Sequence, residues 1–187
     1  LFEYDLVYFS GISLAILPPV VRVELLKSIE EKPSRVKVAF DSNFRPKLWK
    51  NINVAATTIE RAFKSCDIAL PSLADQKTVL QVNSEDIVAS WFKSVGVVQT
   101  VLKRGSRGPR LVGKVEKDCK FFNSKNVIDT TAAGDSFNAG FLASQFTGSS
   151  AIESANYGHQ LANFVISQQG AICTKSYFDK FMESQKC

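Results

Sequence analysis

An acid, two hydroxyl side chains and a run of small residues stand together in residues 129–137, which read DTTAAGDSF. An apolar stripe with helical spacing begins at the end of this stretch, at Phe137, Phe141, Leu142 and Phe146. This order predicts a turn followed by the N-terminus of a helix. The unpaired backbone N–H groups and the helix dipole favour a bound anion there, and small residues let that anion approach the backbone.

Asp135 would project from the first turn of that helix, beside the anion. A carboxylate repels phosphate but is well placed to accept a proton from an attacking hydroxyl group. The pattern alone leaves a second interpretation open, in which Asp135 only compensates the dipole of a capped helix.

Two further groups of candidates stand at the ends of predicted strands. Asn43 and Arg45 follow one strand, and a guanidinium group suits either a carboxylate or a phosphate. Lys103 and Arg104 end another strand before a glycine-punctuated loop, where they could meet a nucleotide phosphate. A surface ion pair for Arg45 and simple solvation for Lys103 and Arg104 are the alternatives.

The elements that must position these residues alternate between strand and helix. Strands are expected over residues 5–11, ending in a Ser-Gly turn, and over 36–41, 66–71 and 97–103. A hairpin with a Lys-Asp turn is expected over 110–116 and 119–123. The first helix is expected to open at Pro18-Pro19, with Val21, Leu25, Leu26 and Ile29 on one face. Further helices are expected over 51–64, from 73 after a Ser72 N-cap, from 85, and over 134–145, 151–169 and 177–183. This alternation predicts a doubly wound α/β fold, with a mostly parallel sheet and helices on both faces.

Ligands of such sheets bind at the carboxyl ends of the strands. The residues expected at that edge are Gly11, Asn43, Arg45, Ser72, Gly105 and Asp135.

Composition excludes several classes of function. The 187 residues are 45% hydrophobic and carry a net charge of +5, but the basic residues are scattered, so we expect phosphorylated small molecules and no nucleic acid as partners. No stretch reaches the roughly 18 apolar residues that span a membrane. Four widely spaced cysteines and a single histidine, His159, predict no metal site or disulfide framework and indicate a cytoplasmic protein.

Familiar catalytic and phosphate-binding motifs are absent from the sequence. There is no GxxxxGK[ST] loop, and no GxGxxG opens a helix after a strand. The lack of GxSxG and the mid-helix context of His159 leave Ser-His and Cys-His catalysis without support.

Residues 129–137 resemble the DTxGAGDxF signature of the ribokinase-like (PfkB) sugar kinases. The runs SGISLAIL at 10–17 and DSNFRPKLW at 41–49 are similar to the branch of that family that acts on 2-keto-3-deoxygluconate. The resemblance extends over about residues 2–172 and implies a ribokinase-like fold, with residues 1–187 as the C-terminal part of one kinase domain. The family's N-terminal glycine-rich segment and β-sheet lid have no counterpart in this sequence.

The resemblance implies ATP-dependent phosphorylation of 2-keto-3-deoxygluconate to its 6-phosphate, with Mg²⁺ and, in some relatives, K⁺. Asp135 would be the general base, and the anion hole would consist of Ala132, Ala133 and Gly134. The family pattern assigns ATP contacts to Asn43, Arg45, Lys103, Arg104, Gly105, Ser106, Arg107 and Gly108. Arg45 and Asp135 would contact the sugar acid.

Two positions depart from the family pattern. Ala132 replaces the commonest first glycine, a form typical of the keto-deoxygluconate branch, and Ser72 to Asp75 stand where the wider family has an NxxE element linked to magnesium, so no metal ligand is assigned. Another sugar, such as fructose, ribose or a nucleoside, and a non-catalytic nucleotide-binding fragment remain as alternatives. Homo-oligomerisation stays open, because the lid often makes the partner contact in this family.

Overall fold

The computed structural model describes residues 2–113, 117–118, 121 and 126–184. The chain divides into two compact units. The first unit comprises Leu1–Arg104 and Arg110–Asp118, and the second comprises Gly105–Pro109 and Cys119–Cys187. Within the described ranges, no helix is long and apolar enough to cross a membrane.

A six-stranded sheet, with its strands in chain order, forms the centre of the first unit. Its strands are β1 (Leu6–Ser10), β2 (Lys37–Asp41), β3 (Ile68–Ala69), β4 (Gln99–Leu102), β5 (Arg110–Gly113) and β6 (Lys117–Asp118). β1 to β4 are parallel, whereas β5 and β6 continue the sheet antiparallel. The prediction of a mostly parallel α/β sheet is therefore confirmed.

Five α-helices connect or follow the strands of this unit. They are α1 (Gly11–Ile16), α2 (Pro19–Glu30), α3 (Ile52–Ser65), α4 (Leu73–Leu80) and α5 (Glu85–Val95). The Asn51 side chain caps α3 and the Ser84 side chain caps α5, and each satisfies backbone N–H groups of the first turn. α5 ends at Gly96, whose φ of 81° is a left-handed conformation that favours glycine.

Aromatic rings join the sheet to its helices in the core. The ring of Phe40 in β2 lies 4.8 Å from that of Phe63 in α3, and Phe63 lies 4.9 Å from Phe92 in α5. Both pairs meet edge to face, and the three side chains are almost completely buried. This geometry suits the charge distribution of aromatic rings and fixes α3 and α5 against β2.

Some details of the first unit differ from the sequence-based expectation. α1 begins directly after β1, where only a Ser-Gly turn was expected, because its six residues are too few to show a helical period. Val21 is 42% exposed instead of lying on the buried face of α2. Lys117 and Asp118, predicted as a turn, form β6 opposite Leu111 and Arg110. The predicted strand over 119–123 falls outside the described residues except for Phe121.

The second unit contains α6 (Ala133–Phe146), α7 (Ala151–Val165) and α8 (Lys175–Ser184). α6 and α7 approach closely at two glycines: a methyl group on Gly158 would lie 2.6 Å from the carbonyl oxygen of Phe137. A capping box of Ser150 and Glu153 starts α7. Phe181 of α8 is buried against α7 and completes a small apolar cluster.

Candidate active site

Loops from β2, β3 and β4 meet at the carboxyl edge of the parallel sheet in the first unit. The Lys103 ammonium, directly after β4, lies 2.7 Å from the carboxylate of Asp41 at the end of β2. Ser72 forms a parallel bridge with Lys103, and the N–H of Leu73 donates to the Lys103 carbonyl at 2.8 Å. These contacts hold together the end of β2, the residue after β4 and the start of α4.

Residues 42–45 form a loop that also contacts the start of α1. We call it the 42–45 loop. A methyl group on Gly11 would lie 1.9 Å from the carbonyl oxygen of Ser42, so this position requires glycine. The meeting of loops at one sheet edge is therefore confirmed within the first unit, for Gly11, Asn43, Arg45 and Ser72.

Two carboxylates hold the backbone of the 42–45 loop. Asp41 accepts a hydrogen bond from the N–H of Asn43 at 3.1 Å, and Asp75 of α4 accepts one from the N–H of Phe44 at 3.0 Å. Asn43 adopts a φ of 31°, in the left-handed region that asparagine tolerates better than most residues. Phe44 is buried, so the loop is fastened from both sides.

Arg45 carries an exposed positive charge at this edge. Its guanidinium donates one hydrogen bond to the carbonyl oxygen of Phe44 at 3.1 Å. The side chain is otherwise open to solvent, so its remaining N–H groups can bind a carboxylate or phosphate in a forked geometry.

Asp75 lies in the first turn of α4, three residues after its N-cap Ser72. Burial raises the pKa of its carboxyl above the usual range, while hydrogen bonds from Phe44 and Ser72 act in the opposite direction. The Ser72 hydroxyl caps α4 by accepting from the N–H of Asp75 at 3.1 Å, as the sequence predicted. Asp75 is thus tied to the 42–45 loop as well as to its own helix.

The charged ends of Lys103 and Arg104 are both engaged with carboxylates. Arg104 lies 3.0 Å from Glu85 at the start of α5, and these side chains are 6% and 15% exposed. The side chains of Lys103 and Asp41 are 11% and 4% exposed. Such ion pairs order both residues, and the ATP contacts expected of them stay a prediction.

The glycine-punctuated loop belongs to the second unit. Gly105, Ser106 and Arg107 form a single exposed turn of 3-10 helix, closed by a hydrogen bond from the N–H of Gly108 to the Gly105 carbonyl at 3.0 Å. Gly108 has a φ of 72°, and a methyl group there would lie 2.6 Å from the ring of Phe121. Backbone conformation and space both require glycine at position 108.

The N-terminus of α6 has the geometry expected of an anion site. Ala132 precedes the helix with a φ of 60° and offers no side-chain cap. The first-turn N–H groups of Ala133, Gly134 and Asp135 therefore lack the usual capping partner, although Ala133 reaches back to the Thr130 carbonyl at 3.2 Å. The side chain of Asp135 is exposed in this first turn. The predicted turn and helix start are confirmed, and the roles of these residues stay predictions.

Asp129 fastens the turn before α6. Its carboxylate accepts hydrogen bonds from the hydroxyl and the N–H of Thr131, at 2.6 and 2.9 Å, and from the N–H of Gly170 at 2.9 Å. The hydrogen bonds from Thr131 and Gly170 lower the pKa of this half-buried carboxyl. Asp129 thus holds the turn of the signature motif to the segment after α7.

Sequence reasoning missed the fastening role of three aspartates. Asp41, Asp67 and Asp75 each accept a backbone N–H, and Asp67 does so from Val38 at 2.8 Å. An aspartate at a strand boundary signals such a bond only weakly, because the partner of Asp67 or Asp75 is 29 or 31 residues away in the chain.

A family model described as pfkB family carbohydrate kinase matches residues 1–176. The chain belongs to this family. The match covers the sheet of the first unit and the α6 and α7 helices of the second, and it includes residues 129–137. The resemblance inferred from the sequence is therefore confirmed.

The chain is similar to curated and structurally characterised members of the pfkB family. It is 39% identical over 176 residues to a 2-dehydro-3-deoxygluconokinase of Escherichia coli (strain K12), a match that covers 91% of this chain and 57% of that protein. The chain thus spans little more than half the length of that relative.

Solved structures of sugar and nucleoside kinases share the fold. Aminoimidazole riboside kinase from Salmonella enterica, complexed with aminoimidazole riboside and an ATP analogue, superposes with a TM-score of 0.81 and 22% identity, over 96% of this chain and 63% of that one. Fructokinase from Vibrio cholerae O395, with bound fructose, ADP and calcium, gives a TM-score of 0.80 and 18% identity, over 93% and 59%. At these identities the likeness establishes the ribokinase-like fold alone.

Proposed function

We propose that the whole protein is an ATP-dependent kinase that phosphorylates 2-keto-3-deoxy-D-gluconate to its 6-phosphate. The 39% identity to the Escherichia coli 2-dehydro-3-deoxygluconokinase, over 91% of this chain, carries the proposal. In this proposal residues 1–187 are the C-terminal part of a single kinase domain and the protein acts in the cytoplasm.

Asp135 serves as the general base in the proposed reaction. Its exposed carboxylate in the first turn of α6 accepts the proton of the sugar's 6-hydroxyl group as the oxygen attacks the γ-phosphorus of ATP. The new bond joins the 6-oxygen to that phosphorus, the bond to the bridging oxygen breaks, and ADP leaves. Proton transfer of this kind accelerates a reaction by about a hundredfold to ten thousandfold.

The backbone of Ala132, Ala133 and Gly134 stabilises the transferring phosphoryl group. The absence of a side-chain cap on α6 supports this role, since the free N–H groups and the helix dipole favour negative charge at that point. A side-chain cap would compete with the phosphoryl group for the same donors.

Residues of the glycine-punctuated loop and of the first unit bind the two substrates. Gly105, Ser106, Arg107 and Gly108 contact ATP, together with Lys103 and Arg104. Asn43 lies between the phosphates and the sugar acid, and the exposed guanidinium of Arg45 binds the negative charge of either.

Magnesium completes the set of cofactors in this proposal, with potassium as a further cation. Among the described residues no group of three or more metal-ligating side chains occurs. Magnesium in kinases is usually held by substrate phosphates, water and one or two carboxylates, and we assign it no protein ligand here. When bound, magnesium would neutralise the charge that develops on the β- and γ-phosphates.

The test is a coupled assay for ADP with the intact protein, ATP, magnesium and 2-keto-3-deoxygluconate. We expect turnover with this acid and much less with fructose or ribose, because Arg45 suits a negatively charged substrate. Faster turnover of a neutral sugar would identify a different kinase of the family. ATP binding in a calorimeter without turnover of any sugar would identify a non-catalytic nucleotide-binding protein.

Asp135→Asn tests the base directly. We expect kcat to fall by about a hundredfold to ten thousandfold, because an amide cannot accept the proton. Binding of ADP, measured by calorimetry, should be retained, and Asp179→Asn on α8 is the control for the loss of one carboxylate. Turnover that survives in the Asp135 variant would remove this residue from its proposed role.

A further inference from the structure

The 42–45 loop is held at two consecutive peptide groups by carboxylates from different parts of the chain. Asp41 accepts the N–H of Asn43 from within the same strand end. Asp75 accepts the N–H of Phe44 from α4, 31 residues further along the chain. The second bond therefore ties the loop to a separate element, whereas the first is local.

The loop is confined on its other side as well. Ser42 is completely buried, and its carbonyl oxygen lies against Gly11, where even a methyl group would be only 1.9 Å away. Asn43 has a φ of 31°, a conformation that a non-glycine residue adopts when its surroundings fix it. The hydrogen bond to Asp75 holds the peptide between Asn43 and Phe44 in this conformation from a separate element.

The peptide that Asp75 holds directly precedes the peptide group between Phe44 and Arg45. The described hydrogen bond of the exposed guanidinium is to the carbonyl oxygen of Phe44, the residue whose N–H Asp75 accepts. Rotation at Phe44 would therefore move the guanidinium together with the side chain of Asn43. Misplacement of a binding group by about 1 Å is enough to reduce kcat/KM by on the order of a hundredfold.

We propose that Asp75 is a positioning residue for the sugar acid: its carboxylate fixes the peptide at Phe44 and so presents Asn43 and Arg45 to the substrate. The proposal rests on the proposed function, in which Asn43 and Arg45 meet the sugar acid. It gives the acidic residue of the Ser72 to Asp75 segment a purpose that requires no contact with a metal ion or with the substrate.

The first measurement is amide hydrogen exchange at Phe44 in the intact protein, which is independent of activity. We expect Asp75→Ala to lower the protection of this amide by at least about tenfold, because the acceptor is lost. Asp75→Asn keeps an acceptor oxygen and should restore most of the protection. Asp75→Asn also gives a variant that can be measured if Asp75→Ala folds poorly.

Asp67→Ala is the matched control. Asp67 likewise accepts a backbone N–H, that of Val38 at 2.8 Å, but at the opposite, amino end of the strands. Its removal should cost stability without altering the exchange of Phe44 or the KM for the sugar acid.

The second measurement separates KM from kcat. We expect Asp75→Ala to raise the KM for 2-keto-3-deoxygluconate by on the order of tenfold to a hundredfold, with a smaller change in kcat. The KM for ATP should rise as well, because Asn43 and Arg45 are also assigned contacts to its phosphates. The KM and kcat of Asp75→Asn should be close to those of the unaltered protein.

Three results would overturn the proposal: unchanged exchange at Phe44, a KM that rises no more than in Asp67→Ala, or a loss confined to kcat, which indicates a direct catalytic role. If the unaltered protein does not phosphorylate the acid, the proposed function fails. The exchange experiment then still decides whether Asp75 holds the loop. Unchanged protection of the Phe44 amide in Asp75→Ala would show that it does not.

Discussion

Carboxylates act as fasteners of the backbone at several points of this protein. Asp75 holds the 42–45 loop, and Asp129 holds the turn before α6 through Thr131 and Gly170. Each accepts N–H groups that the adjoining loop leaves without a partner in regular secondary structure. Both carboxylates are half-buried, but burial raises the pKa of Asp75, whereas hydrogen bonds from Thr131 and Gly170 lower the pKa of Asp129.

The pH dependence of stability should reveal the burial of Asp75. Because burial raises its pKa in the folded chain, the folded state binds this proton more tightly than the unfolded state does. The resulting contribution to the free energy of unfolding is fully present below the unfolded pKa of about 3.9 and is lost as the pH rises through the folded pKa. Asp75→Asn cannot titrate, so its stability should fall less steeply over that range.

Urea unfolding at a series of pH values above about 4 measures this slope. Asp179→Asn, on the exposed surface of α8, accounts for the general effect of removing one charge. Equal slopes for Asp75→Asn and the unaltered protein would mean that the Asp75 carboxyl does not contribute.

At the scale of elements, the close pair of α6 and α7 supports the helix that carries Asp135. A methyl group on Gly140 would lie 2.9 Å from the Cα of Gly158, and one on Gly158 would lie 2.6 Å from the carbonyl oxygen of Phe137. Backbone atoms occupy this contact, so neither helix can accommodate a side chain by a change of rotamer.

Gly158→Ala should therefore destabilise the second unit. Overpacking of this kind costs about 1–3 kcal/mol, which outweighs the gain of less than about 1 kcal/mol from the better helix propensity of alanine. Thermal unfolding measures the effect, and Ala139→Ser at an exposed position of α6 is the control. An unchanged or higher midpoint for Gly158→Ala would show that the helices separate without cost.

At the scale of the whole molecule, β1 forms one edge of the sheet in the described part of the chain. Its sequence, LVYFS, contains neither charge nor proline, the two features with which edge strands usually prevent association with other chains. Tyr8 in this strand is 41% exposed. An edge of this composition favours pairing with a further strand.

We expect the 187-residue chain to self-associate through this edge, and Tyr8→Lys to reduce the association. Light scattering as a function of protein concentration measures it. Tyr4→Lys, at a 69% exposed position before the strand, adds the same charge outside the edge and should have little effect. If both variants reduce the self-association equally, the effect comes from net charge and not from the edge of β1.

The sequence by itself determined the family and most of the elements. The signature in residues 129–137, the N-cap Ser72, and the alternation of strands with helices are local patterns, since each depends on residues a few positions apart. Such patterns also predicted α3, α5 and the helix start at Ala133.

Only the tertiary structure decided which charged side chains of the candidate site bind partners within the protein. The partners of Lys103 and Arg104 are 62 and 19 residues away in the chain, and that of Asp75 is 31 residues away. No local spacing encodes such pairs, because they form when parallel strands bring their carboxyl ends together. The short helix α1 and the exposure of Val21 were likewise decided by packing around the sheet, where tertiary contacts override local preference.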